Sequence, residues 1–351
     1  MKAVRYYAQG DLRLEEVPVP EPEPGGLLAR VEACAICGTD LKMKQKGDAR
    51  VPTGQTIGHE FVGKVVRLGT GVEGFAVGDR VTMATSISCG LCVFCRTGHP
   101  NRCDHLTPVS RHYPGAFAEY IAIPARGVLG GNAVKVPPSL GDIAALAEPL
   151  SCVVNAQELA RVGLGDTVAI IGFGPLGALH CEAARARGAT RVIVIQRSAV
   201  RRSLAVELGA DVVIDPAAGD PITAVMELTG GLGADVVIVC APNAQAQQLA
   251  FAMARKGGMV NLFAGLPRGE SEILLDTRLV HYRELFVSGG SDSSPHDVEV
   301  AVRMLAAGRV SPKVITHRLP LGDFRDGLEL MKQSQGLKIL LVPDHGKTAP
   351  V

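Results

Sequence analysis

The sequence predicts an α/β chain of two domains: a β-rich, barrel-like part over residues 1–145 and 286–351, and a doubly wound parallel sheet over 146–285. Three observations predict it. The texture changes near Asp142, a glycine triplet stands between a strand and a helix, and 351 residues exceed one ordinary core. The 41 glycines and 22 prolines supply many turns. With 36 basic and 35 acidic residues there is no electrostatic footprint for nucleic acid or a membrane surface, which leaves small molecules or further copies of the chain as partners. Arg5, Asp11 and Arg13 stand where a signal peptide needs apolar residues, and no apolar run approaches the roughly 18 residues of a membrane span. The nine cysteines are an odd number, which suits a reducing compartment, so a soluble cytoplasmic protein is expected.

Up to about residue 140 the chain consists of short β-branched runs broken by turns, LLARVEAC, HEFVGKVVRLG, GDRVTMAT and AEYIAIP, without helical periodicity. Apolar runs then alternate with alanine-rich helical stretches: TVAIIG, PLGALHCEAARARG, RVIVIQ, VRRSLAVELGA and DVVID, followed by ADVVIVCA, AQAQQLAFAMARKGG and MVNLFAG. That alternation calls for a parallel sheet of about six strands. After about Phe286 come the amphipathic stretch HDVEVAVRMLAAG and a polar tail that returns to the first domain.

Gly172, Gly174 and Gly177, with Pro175 and Leu176 between them, follow the strand TVAII and open a helix. The glycines permit a tight turn and close approach to a pyrophosphate, and the helix N-terminus faces the phosphates. At the end of the next strand a carboxylate ordinarily holds the adenosine ribose. Here stand Gln196, Arg197 and Ser198. A neutral amide removes repulsion toward a 2′-phosphate, and Arg197 with the Ser198 hydroxyl, helped by Arg201 or Arg202, can bind one, so NADP is favoured over NAD.

The stretch SCGLCVFCRTGHPNRC places Cys89, Cys92, Cys95 and Cys103 as Cys-x2-Cys-x2-Cys-x7-Cys. Four thiolates this close complete the shell of one zinc ion, which makes the site structural. A second set is more dispersed: Cys37 in ACAICGTD, His59 and Glu60 in TIGHEFVG, and Glu148 in LAEPLSC. Catalytic zinc takes three ligands of such mixed type and keeps a fourth position open. Taken singly, each residue also fits a core or capping role.

In their order along the chain, ICGTD, GHE, the four-cysteine lobe, AEPLSC and GFGPLG resemble the zinc-dependent medium-chain dehydrogenases over residues 1 to about 345, nearest the sorbitol and polyol branch and close to threonine dehydrogenase. The resemblance implies a GroES-like catalytic domain and a Rossmann coenzyme domain. It implies Cys37 and His59 as catalytic zinc ligands, with Glu60 and Glu148 as carboxylates binding directly or through water, and two zinc ions per subunit. Zinc would act as a Lewis acid on a substrate hydroxyl, with hydride passing to the nicotinamide. Thr39 matches the family's hydroxyl relay. Lys42 stands where many relatives carry a histidine, and either continues that relay, meets an acidic group of the substrate, or is solvated. The implied activity is reversible NAD(P)-linked oxidation of a secondary hydroxyl of a polyol, sugar or (amino)cyclitol. Threonine-type or simple secondary alcohols are the alternative, and a non-catalytic protein on the same fold is a remote one. Arg111, His112 and Tyr113 offer polar groups near the family's substrate pocket. A homodimer or homotetramer is expected, with residues 263–290 as the interface region.

Overall fold

The computed structural model describes residues 1–267 and 269–345. The chain divides into two compact units. Among the described residues, one comprises 1–151, 292–307 and 315–345, and the other comprises 152–291 and 308–314. The sequence boundaries at 145 and 286 fall a few residues short of these divisions.

In the first unit, strand Leu27–Ala35 is buried along nearly its whole length and is the organising element. It pairs antiparallel with Glu60–Leu68, Tyr120–Ile123 and Lys338–Val342 inside a seven-stranded sheet. The C-terminal strand therefore completes the sheet begun by the N-terminal third. Val4, Leu27, Val31, Phe61, Phe117, Ile121 and Ile339 are all but inaccessible to solvent and form its core. Each such side chain contributes roughly 1.5–3 kcal/mol on burial. Two elements leave this core carrying polar side chains: the helix Gly38–Lys46, which follows the central strand directly, and the turn before Glu60.

The second unit is a six-stranded, wholly parallel sheet. Its spatial order is Val212–Ile214, Arg191–Ile195, Thr167–Ile171, Ala234–Val239, Ala254–Leu262, Phe286–Gly289. Numbered along the chain this is 3-2-1-4-5-6, the doubly wound order in which ligands bind beyond the carboxyl ends of strands one and four. Helix Pro175–Ala186 opens with proline at its first position, Ser198 caps Ala199–Glu207, and Asn243 caps Ala244–Met253. Among the described residues no helix is long and apolar enough to cross a membrane.

Candidate functional site

Cys37 stands two residues beyond the central strand of the first unit and is the N-cap residue of helix Gly38–Lys46; its backbone N–H donates to the Asp40 carboxylate at 2.9 Å. The Thr39 hydroxyl lies 3.6 Å from the Cys37 sulfur. From the other side, Gly58 takes φ +91°, and a Cβ there would stand 2.3 Å from the Phe117 ring, so only glycine makes the turn that delivers His59 and Glu60. One ligand atom from each of Cys37, His59 and Glu60 lies within 4.8 Å of the others. The edges of a zinc tetrahedron built from bonds of roughly 2.0–2.3 Å are of that order, so the group fits zinc.

Around this group the charges are paired and packed. Lys338, 2% exposed, projects from the C-terminal strand and forms an ion pair with the buried Glu60 carboxylate. Asp40, fully buried, directs its other oxygen to 3.8 Å from His59 Nδ1. Burial opposes charge on the His59 imidazole, but the Cys37 thiolate, Asp40 and Glu148 outweigh it and hold its pKa well above the ordinary value. Burial also opposes charge on Lys338, and Glu60 followed by Cys37 raises it. Glu148 sits in the first turn of helix Ala147–Leu159, outside the three-residue group, and accepts a hydrogen bond from the Thr85 hydroxyl at 3.2 Å. Burial lifts its carboxyl to about 7.

The sulfurs of Cys89, Cys92, Cys95 and Cys103 form a second group within 4.8 Å. Backbone N–H groups of Leu91 and Cys92 donate to Cys89 Sγ at 3.4 and 3.3 Å, and those of Cys89 and His105 donate to Cys103 Sγ at 3.3 Å each. Those donors, from Leu91 first and then Cys92, bring the Cys89 thiol down to about 6. An all-sulfur shell with amide donors aimed at thiolates fits a closed zinc site.

In the second unit Gly172 takes φ +99°, and a Cβ on Gly177 would stand 2.2 Å from the Gly172 carbonyl, so the turn closes only with glycine at these places. Gly174 caps the helix that Pro175 and Leu176 begin. Past the second strand, Gln196 Oε1 accepts the Ser198 N–H at 3.3 Å, and Ser198 Oγ accepts the Arg201 N–H. Arg197 is exposed. Arg202 is committed to Asp215 at 2.8 Å and to the carbonyls of Gln196 and Arg197. Arg201 instead reaches the glycine turn, with Nη1 3.9 Å from the position of a Gly174 Cβ and no partner for its buried Nε.

Of the remaining sequence-predicted residues, Lys42 is exposed on helix Gly38–Lys46. Arg111 pairs with Asp48 at 2.9 Å, and exposed His112 stands edge-on to Tyr113. Sequence reasoning missed Asp40, Thr85 and Lys338. Asp40 was legible as the acid three residues after the cap in ICGTD, and Lys338 as a lone cation opening the apolar strand KILLV. Thr85 left no sequence signal.

Comparison with known proteins places the chain in a family. Residues 23–138 match the alcohol dehydrogenase GroES-like domain, and residues 175–307 match the zinc-binding dehydrogenase domain. The chain is 35% identical to an L-threonine 3-dehydrogenase of Bacillus velezensis, covering 94% of this chain and 95% of the relative. It is 34% identical to an erythritol/L-threitol dehydrogenase of Mycolicibacterium smegmatis over 98% of each. A protein of Sinorhizobium meliloti 1021, assigned as a zinc-binding dehydrogenase and solved bound to NADP, superposes with a TM-score of 0.91 at 36% identity, covering 97% of this chain and 99% of that one.

Proposed function

The chain belongs to the zinc-dependent medium-chain dehydrogenases, NAD(P)-linked enzymes acting on alcohols, and from that premise we propose that it oxidises a secondary hydroxyl of a polyol, sugar or (amino)cyclitol with NADP. The observation that carries this reading is the convergence of Cys37, His59 and Glu60 within 4.8 Å, two of them delivered by a glycine-dependent turn.

Cys37 and His59, with Glu60 or Glu148, would hold one zinc, and Cys89, Cys92, Cys95 and Cys103 a second. Bound there, the first zinc would supply a Lewis acid for the substrate hydroxyl, and the dinucleotide the hydride acceptor. The protein's own groups do the rest. Asp40 beside His59 Nδ1 favours the proton on that nitrogen and leaves Nε2 as the donor lone pair. Lys338 balances the Glu60 charge. The Thr39 hydroxyl, beside Cys37 Sγ, takes the substrate proton and passes it outward along the helix face that also bears Lys42. In the coenzyme unit, Gln196 turns its oxygen to the Ser198 N–H, which leaves its amide nitrogen to donate to a ribose or 2′-phosphate, with Arg197 and Arg201 as cations.

Homo-oligomerisation is part of the proposal. The strand Phe286–Gly289 is the edge of the parallel sheet, with Phe286 and Val287 half exposed. It lies at the end of the expected interface region, of which Arg268 is outside the described residues.

The test is reduced-nicotinamide formation with NADP and NAD in parallel, across sorbitol, other alditols, cyclitols, threonine and simple secondary alcohols, repeated after chelation and with Arg197→Asp. Chelator-sensitive polyol oxidation that prefers NADP, with the preference lost in Arg197→Asp, is the expected result. Equal efficiencies with the two coenzymes, or an unchanged ratio in the variant, would refute the coenzyme assignment. A preference for threonine would move the substrate to the amino alcohols.

A further inference from the structure

Within the first unit the chain leaves the main sheet at Ala84, and a side chain takes over the bonds of the strand that ends there. Strand Ala133–Lys135 pairs antiparallel with Arg80–Met83, and the Ala84 N–H donates to the Asn132 carbonyl at 2.9 Å, which extends the pairing by one residue. There the pairing stops. The Asn132 side-chain amide, 2% exposed as a residue, instead donates to the carbonyls of Ala84 at 2.8 Å and Ser86 at 3.3 Å. In an extended segment these two carbonyls lie on one edge, and the carbonyl of Thr85 lies on the other, where it accepts the Val109 N–H at 2.9 Å. The backbone around Thr85 is thus held from both sides. Asn132 is itself fixed, because its own N–H donates to the Gly127 carbonyl at 2.8 Å and Gly131 before it makes a turn at φ +72°.

What this clamp fixes is a hydroxyl. Thr85 Oγ donates to Glu148 Oε1 at 3.2 Å, and among the described residues that is the hydrogen bond which the Glu148 carboxylate receives. Glu148 is buried in the first turn of its helix, outside the group formed by Cys37, His59 and Glu60 but near enough for the charges of His59 and Glu60 to act on it. A carboxylate held by one neutral donor is free to turn once that donor moves. We propose that Asn132 is a positioning residue for the open metal site: by pinning the peptide groups on either side of Thr85 it keeps the Thr85 hydroxyl on Glu148, and so keeps that carboxylate out of the fourth metal position, which stays free for the alcohol. This deepens the alcohol-oxidation reading and rests on its metal assignment. It makes Glu60 the carboxylate that ligates and Glu148 one that is held back.

Two carbonyls without a donor also cost stability, so the positioning role has to be separated from the structural one. The test compares wild type, Thr85→Val, Asn132→Ala and the double variant by zinc affinity in competition with a chelator, by the visible spectrum of the cobalt-loaded protein, and by melting temperature. The four-cysteine lobe contributes alike to every spectrum, so a difference reports the open site. Thr85→Val should bind zinc there roughly ten-fold more tightly, the scale on which partners of metal ligands act, and its cobalt spectrum should shift as Glu148 enters. Asn132→Ala should reproduce both effects, and combining the two should add nothing further to either. Asn132→Ser, which keeps a hydroxyl donor, replaces Asn132→Ala if the latter does not fold. Wild-type zinc affinity and cobalt spectrum in Thr85→Val, or a position-132 variant that lowers the melting temperature alone, overturns the proposal and leaves the alcohol reading intact. A wild type that takes up metal only in the four-cysteine lobe overturns both.

Discussion

The four-cysteine lobe and the Cys37–His59–Glu60 group each bring ligand atoms close enough to hold one metal, and they are supported in opposite ways. The lobe has almost no core of its own: Leu91 is 81% and Val93 65% exposed, and its sulfurs are held chiefly by one another and by backbone N–H groups. The other group is embedded in the main sheet, and its members lean on a second layer, Asp40 on His59 and Lys338 on Glu60. Where the ligands are themselves the fold, metal and local structure stand or fall together. Where the fold positions the ligands in advance, the metal can be lost while the scaffold stays.

The sharpest way to break this contrast is to remove one ligand from each site. Cys37→Ser should lower kcat/KM by about a thousand-fold, the several kcal/mol a Lewis acid contributes, with little change in melting temperature. Cys92→Ser should lower the melting temperature clearly and lose activity only as the lobe unfolds. Calorimetry and steady-state kinetics on both variants would contradict the account if the two profiles matched.

Next in size is the buried pair of the embedded site. Lys338→Met strands the Glu60 charge and should cost about 3 kcal/mol by denaturant titration. Adding Glu60→Gln should recover most of that loss, and a double variant as unstable as the single one would show that the pairing matters little. Asp40→Asn should weaken zinc binding by roughly ten- to hundred-fold in competition with a chelator, because His59 loses its charged neighbour while the helix cap keeps an acceptor. The lobe sulfurs do not depend on Asp40, so the zinc held there should be retained in this variant.

The contrast also explains what could be read from the chain alone. The lobe was legible because its ligands lie within fifteen residues and the spacing is the site. The glycine turn was legible for the same reason. The embedded group spans Cys37 to Lys338, and its spatial adjacency arises from strand register, Ala35 against Glu60 and against Leu340, which no local pattern encodes. The choice between Arg201 and Arg202 was likewise open in sequence, since neighbours on a helix point in different directions. The structure commits Arg202 to Asp215 and turns Arg201 toward the glycines.

The smallest expected effect concerns an acid that, unlike Glu60, pairs with no cation among the described residues. Glu182 accepts the Ser311 N–H at 3.0 Å, and burial lifts its carboxyl to about 7 from 4.5. The folded chain keeps this proton where the unfolded chain releases it, so the stability it contributes is complete below pH 4.5 and is lost as pH rises through about 7. Glu182→Gln should therefore melt about 2–4 °C above wild type at pH 8, with the gap closing toward pH 5. A gap independent of pH would contradict the assignment.

The most direct test of the central claim, one open and one closed zinc site, is a graded chelation of the purified protein, following zinc content, activity and melting temperature together. The account predicts one zinc per ligand group. The first zinc to leave should carry the activity with it at nearly constant melting temperature, and the second should carry the fold of the lobe. Release of all zinc in a single phase, with activity and melting temperature falling together, would contradict it.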